Sequence, residues 1–128
     1  MKNRYGKNLR DINQRLIDLN PAGQTLCLIT ALEFNKLYRH GMKTLEIGCG
    51  EGDSARFVLE NSNAPLDLLD ISKEMVTSAK NNLKPFSKRI KYICEDGLTY
   101  LYRSKPYDII FSEWTIHNFS WKEKISLF

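Results

Sequence analysis

The chain has 128 residues, of which 42% are hydrophobic and 27% are charged, and its formal net charge is +4 at pH 7. This length suits one globular domain, and the composition excludes a disordered or fibrous protein. The apolar runs fall short of the roughly 20 residues that a membrane-spanning helix needs, and the first residues lack the apolar core of a signal peptide. We therefore expect a cytoplasmic protein without a membrane partner.

Two helices are predicted ahead of the first strand. Residues 7–19 repeat apolar side chains at helical spacing up to a break at Asn20 and Pro21, and residues 25–38 resume the pattern. Residues 1–42 are therefore interpreted as an N-terminal helical segment.

Four short apolar runs of strand length follow, and helical patterns lie between them and after the last one. The predicted strands are residues 44–47, 66–69, 90–94 and 107–111, and the predicted helices are residues 54–61, 73–83, 98–102 and 120–128. Nearly continuous apolar character is typical of parallel strands that are buried on both faces. Strands that alternate with helices predict an α/β fold with right-handed crossovers.

The first strand and the first crossover helix are joined by a glycine-rich run, LEIGCGEG, at residues 45–52. Glycines there let a ligand approach the backbone, and the helix that follows offers N–H groups to an anion. A dinucleotide-binding G-x-G-x-x-G pattern would need glycine at position 53, where the chain has Asp53. The spacing is G-x-G-x-G, with Glu46 two residues before the first glycine. A glycine-rich turn without a ligand is the alternative.

This run resembles the first motif of class I S-adenosylmethionine-dependent methyltransferases, and the resemblance extends over residues 43–119. It implies a Rossmann-like parallel sheet in the order 3-2-1-4 and S-adenosyl-L-methionine as the cofactor. It also implies that Gly48, Gly50 and Gly52 accommodate the methionine part of the cofactor, and that Glu46 orients its amino-acid end.

Two further groups match the family behind the second and third strands. Asp70 ends the second strand, where the resemblance implies that an acid accepts both ribose hydroxyls and that Ile71 packs on adenine. The alternative for Asp70 is the N-cap of the next helix, a role that Ser72 can fill instead. Behind the third strand, Asp96 takes the position of an acid that accepts the adenine amino group, and Gly97 lets the turn close. A solvent-facing acidic turn is the alternative there.

The resemblance implies that the segment after the fourth strand, residues 112–118, faces the methyl group and the acceptor. Open α/β sheets bind ligands at this place, where the strand order reverses. Ser112 is assigned to the cofactor. Histidine titrates near neutral pH, so His117 is the candidate base for an acceptor that must lose a proton; a loop histidine bonded to backbone is the alternative. Trp114 is a candidate pocket wall, or equally a core residue.

The absence of two sequence motifs argues against two classes of methyl acceptor. Residues 112–115 read SEWT, so the Asn/Asp-Pro-Pro-Tyr/Phe motif of enzymes that methylate exocyclic amines of bases or glutamine amides is missing, as is the Pro-Cys dipeptide of cytosine C5 enzymes. A small molecule is therefore the favoured acceptor. The basic residues fit solvated helix surfaces better than a nucleic-acid face, although a nucleic-acid acceptor stays open. Three widely spaced cysteines suit reduced thiols, and no metal site is expected.

The family usually continues past the fourth strand with further helices and strands, whereas residue 128 falls inside the helix that should follow it. Residues 43–128 are thus interpreted as a cofactor-binding domain that is incomplete at its C-terminus. The order 3-2-1-4 leaves the fourth strand at an edge, which favours a homodimer through that strand. The leading hypothesis is a methyltransferase. A non-catalytic module that binds S-adenosylmethionine or S-adenosylhomocysteine and a Rossmann-like protein with another cofactor are the alternatives.

Overall fold

The computed structural model describes residues 21–113 and 115–127. The helix predicted over residues 7–19 and the role suggested for Trp114 lie outside the described residues. Among the helices that are described, none combines the length and the hydropathy that crossing a membrane requires.

Within the described chain, five α-helices and four β-strands alternate from the first strand onward. The helices are α1 (Pro21–Leu37), α2 (Asp53–Asn61), α3 (Lys73–Asn82), α4 (Gly97–Arg103) and α5 (Trp121–Leu127), and the strands are β1 (Thr44–Ile47), β2 (Leu66–Asp70), β3 (Ile90–Cys94) and β4 (Ile109–Phe111). Two 3-10 turns cover Lys84–Arg89 and Ile116–Asn118. The bounds agree with the sequence prediction to within one residue, apart from the starts of α1 and β4.

The four strands form one parallel sheet in the order β3-β2-β1-β4, which confirms the predicted topology. Leu45 of β1 lies opposite Asp67 of β2 and Ile110 of β4. All residues of β1 are buried, because this strand is flanked by strands on both sides and covered by helices on both faces. The carboxyl ends of the strands share one edge of the sheet, where ligands of such folds bind.

A hydrophobic core covers each face of the sheet. One cluster joins α1, α2 and α3 to the sheet, and its buried members include Ala31, Phe34, Val58, Leu68 and Ala79. The other cluster lies on the face of α4, and its buried members are Leu45, Ile47, Leu69, Ile93, Tyr100 and Phe119. Leu68 and Leu69 belong to opposite clusters because neighbouring side chains of a strand alternate between its faces. The result is a sheet between two helical layers.

The fourth strand starts later than the sequence predicted. The predicted run began at Tyr107, whereas the observed strand is Ile109–Phe111. The N–H groups of Asp108 and Ile109 both donate to the Lys43 carbonyl, at 2.8 and 3.1 Å, and Asp108 Oδ2 accepts the Lys43 N–H at 2.7 Å. These hydrogen bonds all involve Lys43 and do not form a regular parallel ladder. Regular pairing of β4 with β1 therefore begins at Ile109.

Candidate functional site

The glycine loop, residues 48–52, connects the end of β1 to α2. Gly48, Gly50 and Gly52 all have positive φ, at 72°, 54° and 91°, a region that favours glycine. A Cβ on Gly48 would overlap the Thr115 side chain, and one on Gly52 would lie 2.7 Å from Leu83 Cδ1. At Gly50, by contrast, no described atom lies within 4 Å of a Cβ position. The open side of the loop is therefore at Gly50.

Glu46 is the acid that precedes this loop. It is 1% exposed, and its Oε2 atom has no hydrogen-bond partner among the described residues. Burial raises its pKa well above the usual range, and the carboxylates of Glu113, Asp53 and Asp70 raise it further. A buried acceptor without a donor costs about 1–3 kcal/mol. A ligand that donates a hydrogen bond at this point, above all a cationic one, would remove that cost.

Asp70, the last residue of β2, ties the second strand to the open side of the glycine loop. Its Oδ2 accepts the Gly50 N–H and its Oδ1 accepts the Ser72 N–H, each at 2.9 Å. Burial raises the pKa of this carboxyl group, while the N–H donors lower it. The N-cap of α3 is Ser72, whose Oγ accepts the Met75 N–H at 3.3 Å. The N-cap of α3 is therefore Ser72 and not Asp70.

Behind β2 and β3, the structure places Ile71 and Asp96 half-buried and Gly97 buried. Asp96 caps α4, because its Oδ1 accepts both the N–H and the hydroxyl of Thr99, at 3.0 and 3.1 Å. A Cβ on Gly97 would lie 3.3 Å from Ile47 Cγ2, so a larger residue would press on β1. The sequence prediction missed this cap, although an acid three residues before Thr99 is its signal.

The segment after β4 is held on the end of β1. Ser112 Oγ donates to the Ile47 carbonyl at 2.9 Å, and Thr115 Oγ1 donates to the Gly48 carbonyl at 3.2 Å. Ser112 therefore lies just after the carboxyl end of β4, beside the end of β1, and its contact with the cofactor stays a prediction. His117 lies on the following 3-10 turn and is exposed to solvent.

Glu113 is a residue of this edge that the sequence prediction did not single out. It is half-buried, and its Oε2 accepts a hydrogen bond from Ser54 Oγ at the start of α2. Ser54 Oγ also lies 3.6 Å from Cys27 Sγ of α1. Burial raises the pKa of Glu113, whereas hydrogen bonds from Cys27 and Thr30 lower it. The sequence marks Glu113 only as an acid just after a strand. Its hydrogen-bond partners could not be predicted, because they are distant along the chain.

Three acidic side chains, three loop glycines and a serine thus converge at the carboxyl ends of β1, β2 and β4. They are Glu46, Gly48, Gly50, Gly52, Asp70, Ser112 and Glu113. Asp96 follows β3 at the same edge of the sheet. In the described part of the chain, no group of three or more His, Cys, Asp or Glu side chains could hold a metal ion.

Residues 44–128 match a family that is described as a methyltransferase domain. The chain belongs to this family. The match starts at β1 and includes the glycine loop, Asp70 and the segment after β4. It confirms the class I S-adenosylmethionine-dependent methyltransferase resemblance, and S-adenosyl-L-methionine is the cofactor of these enzymes.

Individual relatives agree with the family. A malonyl-[acyl-carrier protein] O-methyltransferase from Ilyobacter polytropus is 40% identical over 91 residues, which are 67% of this chain and 32% of that protein. The chain thus spans about a third of the length of this relative. A structure of phosphoethanolamine N-methyltransferase 2 from Haemonchus contortus, with phosphomonomethylethanolamine and S-adenosylhomocysteine, is 25% identical, with a TM-score of 0.57, over 70% of this chain and 21% of that one.

A third likeness concerns the fold alone. A protein from Methanococcus maripaludis that is assigned as an S-adenosylmethionine-dependent methyltransferase has a TM-score of 0.70 at 19% identity. The alignment covers 98% of this chain and 61% of that one. The methyltransferase sheet with its flanking helices is therefore the fold of the described domain.

Proposed function

We propose that this chain binds S-adenosylmethionine at the carboxyl edge of its sheet and transfers the methyl group to a small molecule. This proposal rests on the buried Glu46 Oε2 atom, which has no hydrogen-bond partner among residues 21–113 and 115–127, next to a glycine loop that is open at Gly50. The cofactor's ammonium group would supply the missing donor, and the open loop admits its close approach to the backbone. The family match supports the same assignment.

The glycine loop and Asp70 would hold the methionine part and the ribose. Gly48, Gly50 and Gly52 would contact the amino-acid end through the backbone, with Glu46 at its ammonium group. Asp70 would accept the ribose hydroxyls. Its two bonds to N–H groups leave this capacity, because a carboxylate has about four lone-pair positions.

The remaining predicted residues would contact the adenine and the reacting end. Ile71 would pack on the adenine ring, with Asp96 and Gly97 at the edge of that ring. Ser112 would lie beside the methionine part. His117 stays the candidate base, and its exposure leaves the imidazole open to an acceptor that arrives from solvent.

When bound, S-adenosylmethionine supplies an electrophilic methyl group on a sulfonium centre. Transfer of such a group depends largely on alignment. The contribution of the chain would therefore be positional: the hydrogen bonds from Ser112 and Thr115 to the Ile47 and Gly48 carbonyls would hold residues 112–118, as the proposed acceptor-facing segment, against the glycine loop. The named ligands of the relatives, a malonyl group on a carrier protein and phosphomonomethylethanolamine, support a small acceptor group.

We also propose that the chain associates through β4. This strand is the outer member of the described sheet, with β1 on its inner side. Ile110 is 47% exposed at this edge. An unprotected strand edge pairs readily with another chain, and a twofold axis would let β4 pair with its own copy.

Methyl transfer itself is tested with S-adenosylmethionine that carries a tritium-labelled methyl group. The purified chain is incubated with this compound and an extract of small metabolites, and the label is followed by chromatography. We expect label in a small molecule. Binding of S-adenosylmethionine without transfer to any fraction would contradict the activity and identify a non-catalytic binding module.

A further inference from the structure

Glu113 belongs to the segment after β4 that is proposed to face the acceptor. It lies between Ser112 and Thr115, which both bond to backbone carbonyls at the end of β1. Its Oε2 accepts a hydrogen bond from Ser54 at the start of α2. The half-buried carboxylate is therefore fixed beside the glycine loop, on the side of β4.

The negative charge at this point is not balanced within the described residues. The hydrogen-bond partners of Glu113 are the neutral side chains of Ser54, Cys27 and Thr30. Glu46 lies close enough that Glu113 is the largest charge effect on its carboxyl group, and Glu46 Oε2 has no described partner at all. Two carboxylates near each other in a partly desolvated site favour a bound cation.

The two acids lie on different sides of the site. Glu46 belongs to β1 and precedes the glycine loop, where the methionine part of the cofactor is proposed to bind. Glu113 follows β4, the side from which the acceptor is proposed to enter. One ammonium group at Glu46 would therefore leave the charge of Glu113 facing the acceptor.

We propose that Glu113 makes this site select an acceptor that carries a positively charged amine, whose ammonium group binds against the Glu113 carboxylate. The inference rests on the proposed function and names the acceptor class for it. An anionic acceptor would meet a like charge in a partly desolvated site, which is unfavourable. An amine is part of the ligand named for the Haemonchus contortus relative, whereas the Ilyobacter polytropus relative is named for a malonyl group, so the amine class rests on the charge of Glu113 in this chain.

The Glu113 carboxylate can also deprotonate the bound ammonium group. A proton passes from the bound ammonium to Glu113: the N–H bond breaks, its electron pair stays on nitrogen, and an O–H bond forms on the carboxylate. The product is a neutral amine with a free lone pair. Burial raises the pKa of Glu113, which brings its proton affinity closer to that of the amine.

The test uses three probes of similar size that differ in charge: benzylamine, benzyl alcohol and benzoate. Each is titrated by NMR at constant ionic strength into the full chain saturated with S-adenosylhomocysteine. We expect benzylamine to bind at least about tenfold more tightly than benzyl alcohol, and benzoate to bind most weakly. Equal binding of the three probes, or a preference for benzoate, would overturn the inference without any variant.

Two variants of Glu113 separate charge from packing. Glu113→Gln keeps an oxygen that can accept from Ser54, so it should still bind S-adenosylhomocysteine but lose the preference for benzylamine. Glu113→Asp keeps the charge and should retain part of the preference. Glu60→Gln, at an exposed carboxylate of α2, is the matched control and should leave the order of the probes unchanged.

The possible failures are distinguishable. A Glu113→Gln chain that still prefers benzylamine would overturn the role of Glu113. A wild-type chain that binds S-adenosylhomocysteine but shows no preference among the probes would overturn the amine class alone. A folded wild-type chain that binds neither S-adenosylmethionine nor S-adenosylhomocysteine would overturn the proposed function, and the inference with it.

Discussion

Glu46 combines full burial with a carboxylate oxygen that has no described partner, so its charge opposes folding in the absence of a ligand. Its pKa is raised above the usual value of 4.5 in the folded chain. Above that pH the unfolded chain loses this proton while the folded chain keeps it. The free energy of unfolding therefore falls as pH rises from about 4.5 toward the raised pKa.

Replacing Glu46 by Gln removes the cost of keeping this carboxyl group protonated in the folded chain and nearly preserves the shape. We expect Glu46→Gln to raise the melting temperature of the ligand-free chain at neutral pH by a few degrees, since 1 kcal/mol corresponds to about 2–8 °C in domains of this size range. The same variant should bind S-adenosylmethionine more weakly. Thermal unfolding between pH 4 and pH 8, with Glu60→Gln as the control, measures the rise in melting temperature and its dependence on pH. A Glu46→Gln chain that is less stable at neutral pH would contradict this account.

Asp70 and Asp67 lie on the same strand but have different partners. Asp70 bonds to the glycine loop, whereas Asp67 Oδ2 accepts the Tyr107 hydroxyl at 2.5 Å. Asp70→Ala should weaken S-adenosylmethionine binding by about 1.5–3 kcal/mol, or roughly ten- to a hundredfold in Kd. Asp67→Ala should lower the melting temperature and leave Kd nearly unchanged. Titration calorimetry on both variants measures the two Kd values. A larger loss of affinity for Asp67→Ala than for Asp70→Ala would refute the proposed contact of Asp70 with the ribose.

Among the elements, α4 begins at a residue with two separable roles. Asp96 caps the helix through Thr99, and it is also proposed to contact adenine. Asp96→Ala should lose both roles, with about 1 kcal/mol of stability from the cap. Asp96→Ser should recover the stability, because serine is a good N-cap, but not the affinity for S-adenosylhomocysteine. Equal affinity of the Asp96→Ser and wild-type chains would limit Asp96 to capping.

The elements were predictable where local pattern and tertiary packing agree. The strand β1 is apolar enough to be buried on both faces, and its bounds were predicted correctly. The start of β4 was not, because the tie between Asp108 and Lys43 depends on a residue far away in the chain. The places of the glycine loop and Asp70 at the ends of β1 and β2 could be predicted from the sequence pattern, whereas their ligand roles come from the family resemblance and stay predictions. The contact of Glu113 with Ser54 could not be predicted, because it exists only once β4 lies beside β1.

For the whole molecule, the proposed association is through β4, the outer strand of the described sheet. We expect the wild-type chain to sediment as a dimer or larger species at low micromolar concentration. Ile110→Lys places a charge on the exposed edge and should shift the chain toward monomer. Lys124→Ala, on α5, is a control away from the strand. A wild-type chain that is monomeric throughout, or an Ile110→Lys chain that stays associated, would show that β4 is not the interface.

Calorimetric titration determines whether the carboxyl edge of this sheet is a site for S-adenosylmethionine. S-adenosylmethionine and S-adenosylhomocysteine are titrated separately into the folded chain, with NAD and ATP as controls. We expect one site per chain for both sulfur compounds, stabilising the fold by about 2.7 kcal/mol at a hundredfold excess over Kd, and no binding of the controls. Absence of heat and of thermal stabilisation with both sulfur compounds, or preferential binding of NAD or ATP, would contradict the account.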